Sequence, residues 1–594
     1  MASKLAIIVL GVTAIFFLPT TQNFYDTNKW MLLAVGALLT LIIWAFTLVR
    51  PKTPLHITLP SGALGFGALT VAAAIGLVAG STNKIEALLS PLGPVTLGAL
   101  TILVLAASPL MKSGKMYLAW ILYAAAGLLG LIALYQALGM GKFMFPQVPY
   151  LADPLWTPTG SVPTTIALFL ITLTLLIPDT ITSFKKRQEH GGVALLTISL
   201  IIIAIGTAVT ISQFIPKMAG MLPFDVGMVV ASQVFKTPTT AVAGVGVENF
   251  LTAFTMTRPA SLTVNFGVNT DFFLHILTVY GLTGLAGAFL VVVSLFRGNN
   301  KGWLFITKLI CIGALVLIPP TITLLTVIAA VLVLTHDNDK QTPKPMTVTP
   351  WIRVSAGVFL LLAALASLYV VIRSYAAEVY FFHSLRAAQD NDGTKTYNLQ
   401  IKTIETNTFV SRYHITYGQT SLSLANSIAT STQSAQDRQL FGQLVQQAVR
   451  EAKTAVTLNR RSVAAWENLG FTYQTIMPVA TEAANWALAT YQSAVTLDPS
   501  NPTLFVNIGS VFVSQKQYDN AIAAFARAIQ FSPSYANAYY NLANVYKLKG
   551  DTVNAAAILT KTLNLVKPES TDYYKIKNEL DAIQKMPTTI QPEL

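Results

Sequence analysis

Along the first 375 residues the hydrophobic positions come in blocks rather than in alternation. Apolar runs fall at 4–19, 31–49, 61–80, 90–110, 116–138, 163–182, 193–212, 272–296, 304–318, 321–335 and 354–374. Most approach the ~20 residues that span a hydrocarbon core, and short polar connections separate them. A run that is apolar on every side has no single face to turn toward a soluble core, so it predicts a helix surrounded by lipid or by other helices. The ninth and tenth runs are short and meet at Pro319-Pro320, where a helix breaks; they read either as two spans or as one kinked or re-entrant unit. Beyond Tyr375 the pattern changes: Asn, Gln, Thr and Ala become frequent, and apolar residues recur at the spacing of amphipathic helices.

A fixed period emerges in that second regime. Phe505, Ile508, Gly509, Phe512, Ala521, Phe525, Ala528 and Pro533 occupy the positions of a tetratricopeptide repeat, and Tyr539, Leu542, Ala543, Tyr546, Ala555 and Leu559 repeat them 34 residues later. An earlier copy begins at Trp466, keeps Gly470 and Tyr473, and resumes after a five-residue insertion with Ala487, Tyr491, Ala494 and Pro499. Small residues let the two helices of a hairpin approach, and aromatic residues fill the gap between successive hairpins. Segments 378–409 and 411–462, with Asn407 and Asn459 near hairpin ends, read as degenerate units, for five hairpins in all. Trp466 and Trp486 read as packing residues.

The expected fold is therefore all-α: a polytopic transmembrane bundle of about 11 spans followed by an α-solenoid. The division is 1–375 for the membrane part with a large loop at 213–271, 376–462 for degenerate hairpins, 463–570 for repeats and 571–594 for a final helix and tail.

Charge orients this arrangement. A net charge of +13 invites a nucleic-acid reading, but basic residues in a multi-spanning chain collect in cytoplasmic loops, so no nucleic acid is expected. With a cytoplasmic N-terminus, the inner connections hold twelve Lys and Arg and the outer ones six. The last span then exits outward, and the 213–271 loop and the repeats lie on the extracytoplasmic face of an inner membrane. The run after Lys4 resembles a signal peptide, yet Phe17-Leu18-Pro19-Thr20 offers no small-x-small cleavage site, so it reads as a retained span. Cys311 is the one cysteine and lies in an apolar run, which excludes disulfides within the chain and cysteine-based metal sites. No metal or cofactor is expected.

The outer loop and the eighth run carry Gly244-Val-Gly246, Phe250, Thr257-Arg258-Pro259 and Asn269-Thr270-Asp271, ending in Gly281 and Gly284. This order resembles the O-antigen ligase and O-antigen polymerase superfamily, in which a Gly-x-Gly-x-x-x-Phe turn precedes an outward motif and a span opening with Gly-x-x-Gly. The loop Thr157-Pro158-Thr159-Gly160-Ser161 stands where that family has another short motif. The resemblance implies a GT-C-like scaffold and metal-independent transfer or polymerisation of a polyprenyl-pyrophosphate-linked glycan on the outer face, in cell-surface polysaccharide or glycoprotein biogenesis. It also implies an Arg-lined pyrophosphate site and a histidine base. The chain departs from that pattern. Thr270 stands at the histidine position and Asp271 at the following Asn, and no Arg ends the seventh run or occurs in 224–234.

A rebuilt site would use Asp271 as general base with His275 one turn further along the same face. Arg258, Lys236 and Lys217 would hold the pyrophosphate beside Gly244 and Gly246. Against these roles stand simpler ones: a helix cap for Asp271, a backbone-bonded histidine, and cations paired with Glu248 or lipid phosphates. The expected partners are the glycan carrier, membrane lipid, and a protein held by the repeats. The competing reading is a non-catalytic, membrane-anchored repeat scaffold. A transporter is disfavoured, since the runs lack paired ionisable residues and an evident internal two-fold repeat.

Overall fold

A computed structural model describes residues 1–50, 55–56, 60–109, 112–185, 190–215, 221–262, 264–297, 302–336, 345–346, 349–429 and 434–584. The chain forms two compact units, one made of Met1–Phe250 with Phe266–Phe409, the other of Leu251–Asn265 with Val410–Leu594.

The first unit is a bundle. Among the described residues, eight of its helices are long and apolar enough to cross a membrane: Asp26–Val49, Ser61–Ala79, Lys84–Ala107, Gly114–Ala137, Val162–Lys185, Gly191–Phe214, Phe272–Phe296 and Pro350–Gln389. The other three apolar runs become the shorter helices Ala2–Val12, Trp303–Leu317 and Ile322–Thr335. The proline pair ends one helix, and Thr321 begins the next by accepting the Leu324 amide at 3.1 Å, so the ninth and tenth runs are two separate helices. Thirteen of the 14 residues in Ile322–Thr335 are buried, as its all-round apolar surface requires of a helix enclosed by neighbours.

Small residues set how closely the bundle packs. A Cβ on Gly65 would stand 2.8 Å from the Val291 Cα, and one on Gly287 3.0 Å from the Leu69 amide nitrogen, so Ser61–Ala79 and Phe272–Phe296 touch backbone to backbone. Hydroxyl pairs bridge other helices, Thr70 to Thr101 at 3.0 Å and Thr307 to Thr174 at 2.9 Å. The last helix, Pro350–Gln389, has 40 residues. At ~1.5 Å per residue it is about 60 Å long, roughly twice a ~30 Å hydrocarbon core. Its C-terminal part pairs with Gly393–Thr406, so the first degenerate hairpin is an extension of the final apolar helix.

The second unit stacks four hairpins and a terminal helix. They are Ser411–Ala429 with Ala435–Leu458, Val463–Thr475 with Ala483–Leu497, Pro502–Ser514 with Tyr518–Phe531, and Ala536–Leu548 with Thr552–Leu565, followed by Thr571–Gln584. Asn407 and Asn459 close helices, and each side chain accepts an amide two residues on. The fully buried Tyr491 and Phe525 fill the inter-helix space opposite Gly470 and Gly509, where an added Cβ would meet their rings at 2.6 and 2.5 Å.

Candidate functional site

Two glycine signatures that stand far apart in sequence interlock in the first unit. The helix Phe272–Phe296 opens at Gly281, whose φ of 65° and ψ of −156° lie outside the range of L side chains. Opening frees carbonyls that must find donors within the protein. The Gly244–Gly246 turn supplies them: the Val245 amide donates to the Thr278 carbonyl at 3.0 Å and the Gly246 amide to the Val279 carbonyl at 3.2 Å. Both turn glycines have positive φ, 75° and 92°. A Cβ on Gly244 would meet the Val279 carbonyl carbon at 2.2 Å, and one on Gly281 would meet the carbonyl oxygens of Ala241 and Val242 at 2.6 Å. Gly80 lies against the same turn, 2.8 Å from the Gly244 carbonyl by the same measure. The amides of Gly244 and Gly246 are thus spent on backbone, the first on the Thr240 carbonyl.

About two turns above the joint, Asp271 caps the helix by accepting the Leu274 amide at 3.0 Å. Burial pushes its carboxyl above the ordinary value, opposed by the amides of Leu274 and Phe273. His275 is 1 % exposed and lies 5.0 Å, ring to ring, from Phe250. Its Nδ1 accepts the Asn269 amide at 3.3 Å, which leaves the proton on Nε2, a buried atom with no hydrogen-bond partner among the described residues. In that tautomer the ring has no free lone pair with which to deprotonate an acceptor hydroxyl. Asn269 ties this corner together, donating from Nδ2 to the Gly227 carbonyl at 3.1 Å and to the Thr278 hydroxyl at 3.3 Å.

The expected cations are distributed differently. Lys217 lies outside the described residues, and Lys236 is exposed at the end of the short helical turn Gln233–Lys236. Arg258 belongs to the second unit, where it meets Asp498 at 3.1 Å with both side chains buried. Its Nη1 donates to the Asn265 side chain at 2.9 Å, and its Nε to the Ser500 hydroxyl at 3.4 Å. Thr252 and Thr255 donate to the Arg461 and Leu497 carbonyls, so residues 251–265 strap across the turns that end two hairpins. Burial pushes the Asp498 carboxyl up, and the pull of Arg258 does not fully reverse it. Glu248 is no partner for Lys236 or Arg258: its Oε1 accepts the Thr82 amide at 2.7 Å and the Asn249 side-chain amide at 2.9 Å. Among the described residues no group of three or more His, Cys, Asp or Glu could hold a metal ion.

Sequence reasoning missed Lys29 and a set of asparagines. Lys29 is fully buried, and its ammonium donates to the Pro158 and Thr159 carbonyls at 2.7 and 2.9 Å, pinning the Thr157–Ser161 loop. It stands two residues before the apolar run 31–49, and in the structure it falls inside the helix Asp26–Val49. In the array, Asn468, Asn507 and Asn541 occupy one position of successive repeats, 39 and 34 residues apart, the longer step containing the five-residue insertion. Both polar atoms of the Asn468 side chain are buried without a hydrogen-bond partner among the described residues. Asn507 and Asn541 are half-buried. Trp466 and Trp486 follow the packing expectation in part: the Trp466 indole donates to the Arg460 carbonyl at 2.8 Å, and the Trp486 ring lies 5.5 Å from Tyr473 but is 48 % exposed.

The family model of the TPR repeat matches residues 509–550, so the array contains a TPR repeat. The chain is similar to solved TPR structures at low identity. MamA from Desulfovibrio magneticus RS-1 is 16% identical, with 32% of this chain and 94% of that one covered and a TM-score of 0.26. A TPR protein of Thermus thermophilus is 16% identical, with 35% and 98% covered and a TM-score of 0.28. PilW, a type IV pilus biogenesis factor, is 13% identical, with 35% and 86% covered and a TM-score of 0.29. No curated protein matches the chain.

Proposed function

We propose that this chain is a membrane-anchored TPR scaffold that holds an extended protein segment on the outer face of the membrane. What carries this reading is that three of the residues suited to glycosyl transfer are already engaged. Asp271 is a helix cap, the His275 lone pair is taken by the Asn269 amide, and Arg258 is matched by Asp498. The array repeats an uncharged amide side chain from hairpin to hairpin, that of Asn541 donating to the Asn537 carbonyl and side-chain oxygen, each at 2.8 Å. An amide that both donates and accepts suits the N–H and C=O groups of an extended main chain. The outer placement rests on the twelve-to-six distribution of basic residues.

A second reading, transfer of a polyprenyl-pyrophosphate-linked glycan, is supported by one observation: the Gly244–Gly246 turn and the Gly281 break, both parts of the ligase-like motif order, form a single joint. The two readings separate in one experiment on the full chain in lipid vesicles. Selection from a library of unstructured peptides is followed by affinity measurement on the wild type and on Asn507→Ala/Asn541→Ala. Turnover of a polyprenyl-pyrophosphate glycan is measured in parallel on the wild type and on Asp271→Asn. Peptide binding weakened at least about tenfold by the double change, roughly 1.4 kcal/mol, with no turnover, supports the scaffold. Turnover abolished by Asp271→Asn sinks it in favour of the transferase.

A further inference from the structure

The outer-loop segment 222–246 is apolar on two sides. Val226, Val230 and Ala231 of helix Phe224–Ser232 are buried within the first unit. Facing away are Phe224, Met228 and Val229 at 60, 49 and 48 % exposure, followed along the chain by Phe235 at 58 % and Val242 at 49 %. A loop bathed in water has no reason to carry a second apolar side of this size, and large exposed apolar patches mark contact with something.

Two sets of contacts fix the depth of this segment. Ser61–Ala79 runs beside Phe272–Phe296 with Ser61 at Ser294, Gly65 at Val291, Leu69 at Gly287 and Gly76 at Tyr280. Its 19 residues are about 28 Å long, one hydrocarbon thickness, so the level of Gly80 and Gly281 marks the outer boundary of the apolar layer. The segment is tied at that level, where the Thr283 hydroxyl donates to the Val242 carbonyl at 2.9 Å. At its other end it is tied just above, through Asn269 to Gly227 and the Thr270 hydroxyl to the Leu222 carbonyl. The exposed side of the long helix, Phe289 and Leu282, continues at the joint into Val242. Next to Phe235 stands the exposed ammonium of Lys236.

We propose that residues 224–243 form an interfacial cuff whose outward apolar side rests in the outer lipid leaflet, with Lys236 directed to anionic lipid phosphates. Apolar side chains beside a single cation at the hydrocarbon boundary are the chemistry that binds a lipid surface. The inference rests on the reading that the long apolar helices cross a bilayer, and its test separates the two.

With Cys311→Ala as background, single cysteines are placed by Phe235→Cys, Met228→Cys, Phe289→Cys as the mid-span reference, and Lys561→Cys as the water reference. Each is labelled with bimane in phosphatidylcholine–phosphatidylglycerol vesicles and exposed to nitroxide lipid labelled near the headgroup, or to aqueous iodide. The cuff predicts that labels at 228 and 235 are quenched severalfold more by the lipid nitroxide than by iodide, and more strongly when the nitroxide is on phosphatidylglycerol. Iodide quenching equal to that at 561, with 289 still silent to iodide, overturns the cuff and leaves the spans standing. Protection from both quenchers overturns it in favour of a protein cover, such as a second copy. Iodide access at 289 overturns the spanning reading and the cuff with it.

Discussion

Glycine does different work in the two units. At Gly244 and Gly281 of the bundle the missing side chain admits backbone to backbone, with a Cβ falling 2.2–2.6 Å from carbonyl atoms. At Gly470 and Gly509 of the array it admits an aromatic ring, 2.5–2.6 Å from where a Cβ would be. A ring can turn about its side-chain bonds and give way, whereas a carbonyl held in a hydrogen bond cannot. At these positions the bundle is therefore specified where backbone meets backbone, and the array where backbone meets a ring.

The sharpest way to break this contrast is at the joint. Gly281→Ala combines a backbone conformation that costs an L residue ~1–3 kcal/mol with a clash against fixed carbonyls, and we expect a total of about 4 kcal/mol or more. The check is loss of monodisperse, detergent-solubilised protein, with Gly313→Ala as control, since a Cβ there meets nothing within 4 Å. No change of a neighbouring side chain should rescue it.

Next in size is the buried ion pair of the array. Arg258→Met strands the Asp498 carboxylate, and breaking a buried pair costs about 3 kcal/mol. Burial already pushes that carboxyl upward, so it takes up a proton and limits the loss. Thermal unfolding followed through the aromatic residues of the array should fall, and Arg258→Met/Asp498→Leu should recover most of the difference. A double variant no better than the single one would show that the strap is held by Thr252 and Thr255 instead.

Gly509→Ala should cost about 2 kcal/mol, within the range for overfilling a packed core, and Phe525→Leu added to it should return part of that. Rescue here and none at Gly281 is the outcome that distinguishes the two kinds of glycine. Equal behaviour at both positions would erase the distinction.

The same contrast explains what the sequence revealed. Repeat positions were legible because each hairpin must place an alanine or an aromatic residue at a fixed offset, so the spacing of Ala521, Phe525 and Tyr491 was enough to assign them to packing. The apolar runs were legible by length alone, and the Pro319-Pro320 break between two of them was visible but left two outcomes open. The Gly-x-Gly turn and Gly281 are both legible as motif elements, but their interlock is not. That a Gly-x-Gly turn donates its amides to a helix opened at residue 281 depends on dihedral angles, which composition and periodicity do not carry. The ion pair of Arg258 is not legible for a different reason. Its partner Asp498 lies 240 residues further along, and no local pattern links a loop between two apolar runs to a turn between two hairpins.

The smallest effects concern charge, and they run in opposite directions within the array. Burial pushes the Glu451 carboxyl up, but the hydrogen bond and charge of His414, 2.6 Å away, together with Arg450, outweigh it and hold the group below its ordinary 4.5. A depressed carboxyl contributes stability that is complete above about pH 4.5 and is lost as pH falls through its folded value. Glu467 has the reverse sign: burial, then the charge of Asp498, raise it. Its contribution is complete below its unfolded value and is lost as pH rises through its folded one, so ionising the side chain in the folded array is a cost. Glu467→Gln should accordingly stabilise the array at pH 7 by about 0.5–1 kcal/mol, with the gain shrinking toward pH 4. Glu451→Gln should destabilise it at pH 7 and lose its deficit in acid. Unfolding temperatures between pH 4 and pH 8 measure both. Parallel pH curves for wild type and Glu467→Gln would mean that the carboxylate is already compensated in the folded array.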